Sequence, residues 1–175
     1  MNIKVKRLVT AALIGALYAA LTMALAPISY GPLQFRVSEV LCILPFFLPY
    51  TAWGLFFGCM IANLASAAGM LDIVFGSLAT LISCAGVALC GMRLGSGLKS
   101  RIIACLMPVV WNGIIVGATL TIALAGLNPL KEFGAFALFA GEVALGELGV
   151  MFVMGLPLMT YLPKQKFFAE FVAKH

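Results

Sequence analysis

Six apolar runs fill almost the whole chain, over residues 8–26, 37–48, 51–68, 71–92, 101–125 and 136–162. Only short clusters of charge, glycine and proline separate them. One bilayer crossing takes roughly 20 apolar residues, so runs of this length and spacing predict an all-α integral membrane protein, a bundle of six transmembrane helices. With 63% hydrophobic and 10% charged residues among 175, a soluble domain could not cover its surface. Six crossings leave room for short loops only, so residues 1–175 are expected to form a single transmembrane domain. The second run is short and meets the third at Pro49-Tyr50, which leaves almost no loop. Both a full crossing and a re-entrant or steeply ended helix stay open there.

Charge placement predicts the orientation. With the N-terminus inside, Lys4, Lys6, Arg7, Arg93, Lys99, Arg101, Lys164, Lys166 and Lys174 collect on the cytoplasmic side, and only Arg36 and Lys131 fall outside. That bias places both termini in the cytoplasm and the chain in the cell membrane as a multi-pass protein. The basic start and Ala24-Leu25-Ala26 imitate a cleaved leader. The run is longer than a signal core, however, and Pro27 follows the would-be cut, so a retained first helix is expected. The acids run the other way. Glu39, Asp72 and Glu132 sit at or near outer ends, Glu142 lies in the outer half of the last run, and Glu147 is near mid-membrane. An ionisable group inside a span costs about 2.5–3.5 kcal/mol on insertion scales and usually lines a cavity or finds a partner. The pattern points to a pocket open to the outside.

Several chemistries are excluded. The single histidine is His175, so neither histidine catalysis nor a histidine-containing metal site is expected. Residues 91–100 imitate a phosphate-binding loop, but Leu98 stands where that motif requires glycine before Lys99. Cys42, Cys59, Cys84, Cys90 and Cys105 fall singly in apolar runs and read as small hydrophobic side chains. No cofactor, metal or nucleic-acid partner is expected, and energy for active import would have to come from elsewhere.

The polar residues within the runs are the candidates for binding. Trp111-Asn112 lies about eleven residues into the fifth run, roughly mid-membrane at 1.5 Å per residue. The sixth run travels the opposite way and reaches Glu147 at a similar depth, so Asn112 and Glu147 could converge on one cavity. Asn112 could equally bond a neighbouring helix. Glu142 and Glu147 are five residues apart, about 140° around an ideal helix, so both cannot face one point on undistorted backbone. Outside, Gln34, Arg36 and Glu39 belong to the most polar stretch beyond the basic ends. Arg36 and Glu39 could pair with each other, or the loop could form a lid over a ligand. The first run carries Ala12, Ala16, Ala20 and Ala24 at four-residue spacing. Such a stripe permits close helix packing, either inside the bundle or onto another membrane protein.

Several stretches together are similar to one family: 30–39 (Tyr-Gly-Pro-Leu-Gln-Phe-Arg-Val-Ser-Glu), 72–80 (Asp-Ile-Val-Phe-Gly-Ser-Leu-Ala-Thr), Trp111-Asn112 and Gly155-Leu156-Pro157-Leu158. The chain resembles, over nearly its whole length, the queuosine precursor transporter (QueT) family, substrate-binding S components of energy-coupling factor (ECF) transporters. The resemblance implies the S-component fold with a ligand near the outer face. It also implies a transmembrane coupling subunit contacted by an Ala-x-x-x-Ala pattern (Ala12 and Ala16, or Ala16 and Ala20) and two ATPases that use ATP on this chain's behalf. The implied substrate is a 7-deazaguanine such as 7-aminomethyl-7-deazaguanine, or queuine. Such a base offers two adjacent N–H donors suited to a carboxylate and one carbonyl suited to Asn, Gln or Arg. On this basis Glu147 or Glu142 would accept the base edge, Asn112 would orient it, Trp111 would stack and Glu39 would lie near the cationic arm. The alternatives are an S component for another vitamin or heterocycle, a ligand-free membrane scaffold or assembly protein, and a small membrane enzyme. The scaffold leaves Glu147 and Asn112 unexplained, and the enzyme lacks histidine and a metal cluster.

Overall fold

A computed structural model describes residues 2–30 and 34–174. In chain order its main helices are α1 (Ile3–Ala24), α2 (Val37–Phe46), α3 (Thr51–Ala65), α4 (Asp72–Arg93), α5 (Leu98–Ala123), α6 (Phe133–Lys164) and α7 (Lys166–Ala173). By length and composition α1, α4, α5 and α6 can each cross a bilayer, whereas α2 and α3 are shorter apolar helices. Asn2 caps α1, its side-chain oxygen accepting the Lys4 backbone N–H at 3.1 Å.

The short second run takes an uncommon form. All ten residues of α2 are a 3₁₀ helix, a conformation that seldom persists beyond one turn. At about 2.0 Å per residue it reaches about 20 Å, whereas ten α-helical residues would reach only about 15 Å. Pro45 lies inside it, and the remaining length to the bilayer's roughly 30 Å is not covered by α2 itself. A three-residue turn also stacks side chains three apart on one face. That register places Glu39 above Cys42, with Arg36 at the helix entry.

Backbone-to-backbone contact joins α1 to α3. A Cβ added to Gly54 would strike the Ala11 carbonyl, one on Gly58 the Gly15 carbonyl, and one on Gly15 the Gly54 carbonyl. In lipid no hydrophobic drive pulls helices together, so close contact between small residues supplies the attraction. The stripe used is Ala11, Gly15 and Ala19, which are buried; Ala12, Ala16, Ala20 and Ala24, one position along, stay exposed. The core behind this seam holds Tyr18, Cys42, Leu55, Cys59 and Cys84. A second cluster gathers Ile43, Phe46, Val87, Cys105, Val109, Met151 and Met159 between α2, α4, α5 and α6. All five cysteines are free and buried, as expected of small apolar side chains.

At one end of the bundle Arg7, Pro49, Tyr50 and Val172 line a single cleft. The start of α1, the α2–α3 turn and α7 therefore share that end. The polar residues Arg36, Asn63 and Asp72 belong to segments at the opposite end of α3 and α4.

Candidate functional site

Arg36 enters α2 on extended backbone and is almost fully buried. Its Nη2 pairs with Asp72 Oδ2 at 3.2 Å, and its guanidinium lies over the Tyr30 ring at 5.4 Å. Asp72 opens α4 in a π-helical turn, and its backbone carbonyl accepts the Asn63 Nδ2 amide at 2.8 Å. Neither Asp72 nor Asn63 is exposed at all. A buried charge with a missing partner is strongly destabilising, so the Arg36–Asp72 pair fixes where the first loop meets α4. The possible Arg36–Glu39 pairing is not the one formed. Glu39 instead accepts from the Tyr18 hydroxyl on one oxygen and from the Cys42 thiol, at 3.0 Å, on the other.

Across from this cluster, Asn112 Nδ2 donates to Glu147 Oε1 at 2.7 Å, linking α5 to α6. A carboxylate offers only acceptors, so the amide must turn its NH₂ toward Glu147 and its oxygen elsewhere. Asn112 Oδ1 and Glu147 Oε2 are both buried without a hydrogen-bond partner among the described residues. An unsatisfied buried acceptor costs about 1–3 kcal/mol. Two of them on one linked pair leave two acceptors able to take N–H or O–H donors.

The two clusters face one small cavity. Gln34, Arg36 and Glu39 wall one side, Gly76 and Thr80 come from α4, Asn112 and Val116 from α5, and Val143 and Glu147 from α6. Thr80 is held in place by donating its hydroxyl to the Gly76 carbonyl at 3.2 Å. The cavity volume is about 10 Å³, near the space one water molecule needs. Gln34 closes it from the loop side at a φ of 43°, a left-handed turn uncommon for a non-glycine residue.

Of the residues singled out in the sequence, Gln34, Arg36, Glu39, Asn112 and Glu147 meet here. Trp111 does not: it is 38% exposed, because one helical residue turns the side chain about 100° from Asn112. Stacking by Trp111 on a ligand in this cavity is thus not what the geometry offers. Glu142 is half-buried and does not line the cavity, as its angular offset from Glu147 requires. Gly31, Pro32 and Leu33 of the first loop, and His175, lie outside the described residues.

Asp72, which pairs with Arg36, Asn63, which holds the Asp72 backbone, and Tyr18, which holds Glu39, were not among the expected site residues. Asn63 carried the same signal as Asn112, an amide inside an apolar run. Tyr18 gave none, since a lone tyrosine in a helix is ordinary.

Residues 8–164 match the family model of the QueT transporter. A curated relative, the queuosine precursor transporter QueT of Lactococcus lactis subsp. cremoris (strain MG1363), is 34% identical over 169 residues, which cover 90% of this chain and 92% of the relative. No solved structure matches the chain. With its membrane-length apolar helices and a family match over most of its length, the chain belongs to the QueT transporter family, and is a membrane transporter and not an enzyme.

Proposed function

We propose that this chain is the substrate-binding membrane subunit of an energy-coupled importer, and that it takes up a queuosine precursor of the 7-deazaguanine class, such as 7-aminomethyl-7-deazaguanine or queuine. The observation that carries the substrate class is the acceptor pair formed by Asn112 Oδ1 and Glu147 Oε2. A guanine-type base presents two adjacent N–H donors along one edge, which that pair complements. The base carbonyl, next to the ring N–H on the same edge, then falls toward the donors of Gln34 and Arg36 on the adjoining wall. The aliphatic walls of Val116 and Val143 cover the ring faces, in place of Trp111. Glu39 and Glu147 outnumber the one guanidinium lining the cavity, whose charge Asp72 already meets from behind, and this favours a ligand carrying a cationic arm, with Glu39 beside it.

Ligand pockets usually measure about 300–1,000 Å³, so a cavity near 10 Å³ is a closed form. Admission of a base requires the segment at Gln34, ahead of the Arg36–Asp72 pair that holds the loop to α4, to swing outward, and the first loop then acts as a lid. The six apolar helices α1–α6 are read as six crossings with both termini in the cytoplasm. The basic residue count and the meeting of Arg7, Tyr50 and Val172 in one cleft support that orientation.

Energy comes from partners in this reading: a transmembrane coupling subunit and two ATPase subunits that consume ATP. The support is the free stripe of Ala12, Ala16 and Ala20 beside the stripe α1 spends on α3. Ala16→Leu is expected to abolish most co-purification of the coupling subunit while ligand affinity stays at the wild-type level. Loss of both together would show a folding defect instead of a docking surface.

Calorimetric titration tests the substrate. The purified protein is expected to give a saturable signal with 7-aminomethyl-7-deazaguanine and none with adenine, whose edge pairs a donor with an acceptor. The proposal fails if a folded sample gives no signal with the deazaguanine, or binds both bases alike.

A further inference from the structure

Helix α7 has no part in the binding cavity. Its apolar residues Phe167, Phe168, Phe171 and Val172 occupy one stripe of the helix, and Lys166, Ala169, Glu170, Ala173 and Lys174 the rest. Half of the stripe is spent on the bundle. Phe168 packs edge-on against Phe47, ring centroids 5.4 Å apart, and Val172 enters the cleft with Arg7, Leu48, Pro49 and Tyr50. Phe167 is turned outward: it is 82% exposed and stacks on the half-buried Phe171, ring centroids 6.5 Å apart. The helix leaves α6 through an extended residue, Gln165, shortly after an exposed Tyr161 on that membrane-length helix. The outward face of α7 thus continues an apolar surface that already belongs to lipid.

Charge distinguishes what covers it. Lys164, Lys166 and Lys174 are exposed, against the single acid Glu170, which holds Lys174 at 3.7 Å. Aromatic residues on one face of a short helix and lysines at its margins are the composition of a helix lying in the bilayer interface. We propose that α7 is an interfacial anchor, with Phe167, backed by Phe171, inserted at the boundary of headgroups and acyl chains and Lys164 and Lys166 holding anionic phospholipid headgroups. Seated against the α2–α3 turn through Phe47, it fixes the tilt of that end of the bundle relative to the membrane plane. A basic segment beside a membrane span gains from anionic lipid by simple electrostatics.

The test uses the full chain with Phe167→Cys, labelled with an environment-sensitive fluorophore; the native cysteines are buried, so the new thiol is the reactive one. Glu170→Cys, on the polar face, is the water-facing comparison. In nanodiscs containing phosphatidylglycerol, the label at 167 is expected to emit to the blue of that at 170. Spin-labelled lipid should quench it, and aqueous iodide should quench it several-fold less than the label at 170. In discs of phosphatidylcholine alone, or with Lys164→Gln and Lys166→Gln together, the difference between the two positions is expected to shrink. Equal iodide access at 167 and 170 in the anionic discs overturns the anchor. A burial of 167 that is the same in both lipids and indifferent to the lysines overturns the headgroup contact.

Discussion

Replacing Glu147 by Gln is expected to weaken deazaguanine binding roughly 100-fold, the loss of one charge-assisted hydrogen bond with a clash added. The substitution keeps the side chain's shape. Its oxygen would still accept the Asn112 amide, so its NH₂ would face the cavity and oppose the ligand's own N–H groups. Asn112→Asp alone is also expected to bind poorly, since it sets two carboxylates together in a buried space. The exchange of both, Asn112→Asp with Glu147→Gln, has a different outcome. The amide now at position 147 would donate to the carboxylate now at position 112, and an oxygen of each residue would again face the cavity. Charge, shape and acceptor pattern are all restored, and affinity is expected to return to within about tenfold of wild type, one charge-assisted bond's worth at most. Calorimetry on the four proteins measures this. Wild-type affinity in Glu147→Gln, or no recovery in the exchanged pair, contradicts the acceptor-pair reading.

The largest stability effect is expected at the seam between α1 and α3. Gly54→Leu drives a side chain into the Ala11 backbone, where no rotamer change can relieve the collision. Overpacking against a flexible side chain costs about 1–3 kcal/mol, and against backbone the cost belongs at or above the top of that range. Recovery of monodisperse protein should collapse, and the midpoint of unfolding in denaturing detergent should fall sharply. Gly141→Ala is the control. A Cβ there meets nothing within 4 Å, so stability is expected to hold or rise slightly. Similar midpoints for Gly54→Leu and wild type would mean the two helices do not touch through their backbones.

The residues legible in advance were those whose chemistry contradicts their surroundings. Glu147 and Asn112 interrupt apolar runs, and a polar group in lipid needs a partner wherever the chain folds. Their depth followed from counting residues along each run, because the rise of a helix is fixed. Trp111 shows where that reasoning stops. Depth is set by residue number alone, but the direction a side chain faces depends on which helices pack around it. Adjacent residues at one depth therefore went to different sides. The stripes on α1 make the same point, since Ala11-Gly15 and Ala12-Ala16 are equally small and only the position of Gly54 and Gly58 chose between them.

Read alone, the chain is helical, apolar along nearly all its length, and carries polar groups such as Glu147 and Asn112 that need a cavity or a partner inside it. Those are properties of local composition and of the free energy of putting each residue in lipid. It took the packing of the whole bundle to pair Arg36 with Asp72 rather than Glu39, to bring Tyr18 and Cys42 to the Glu39 carboxylate, and to wind α2 as a 3₁₀ helix. Those outcomes depend on distances between segments remote in the chain, and a buried charge takes whichever partner the packing of several helices brings within reach.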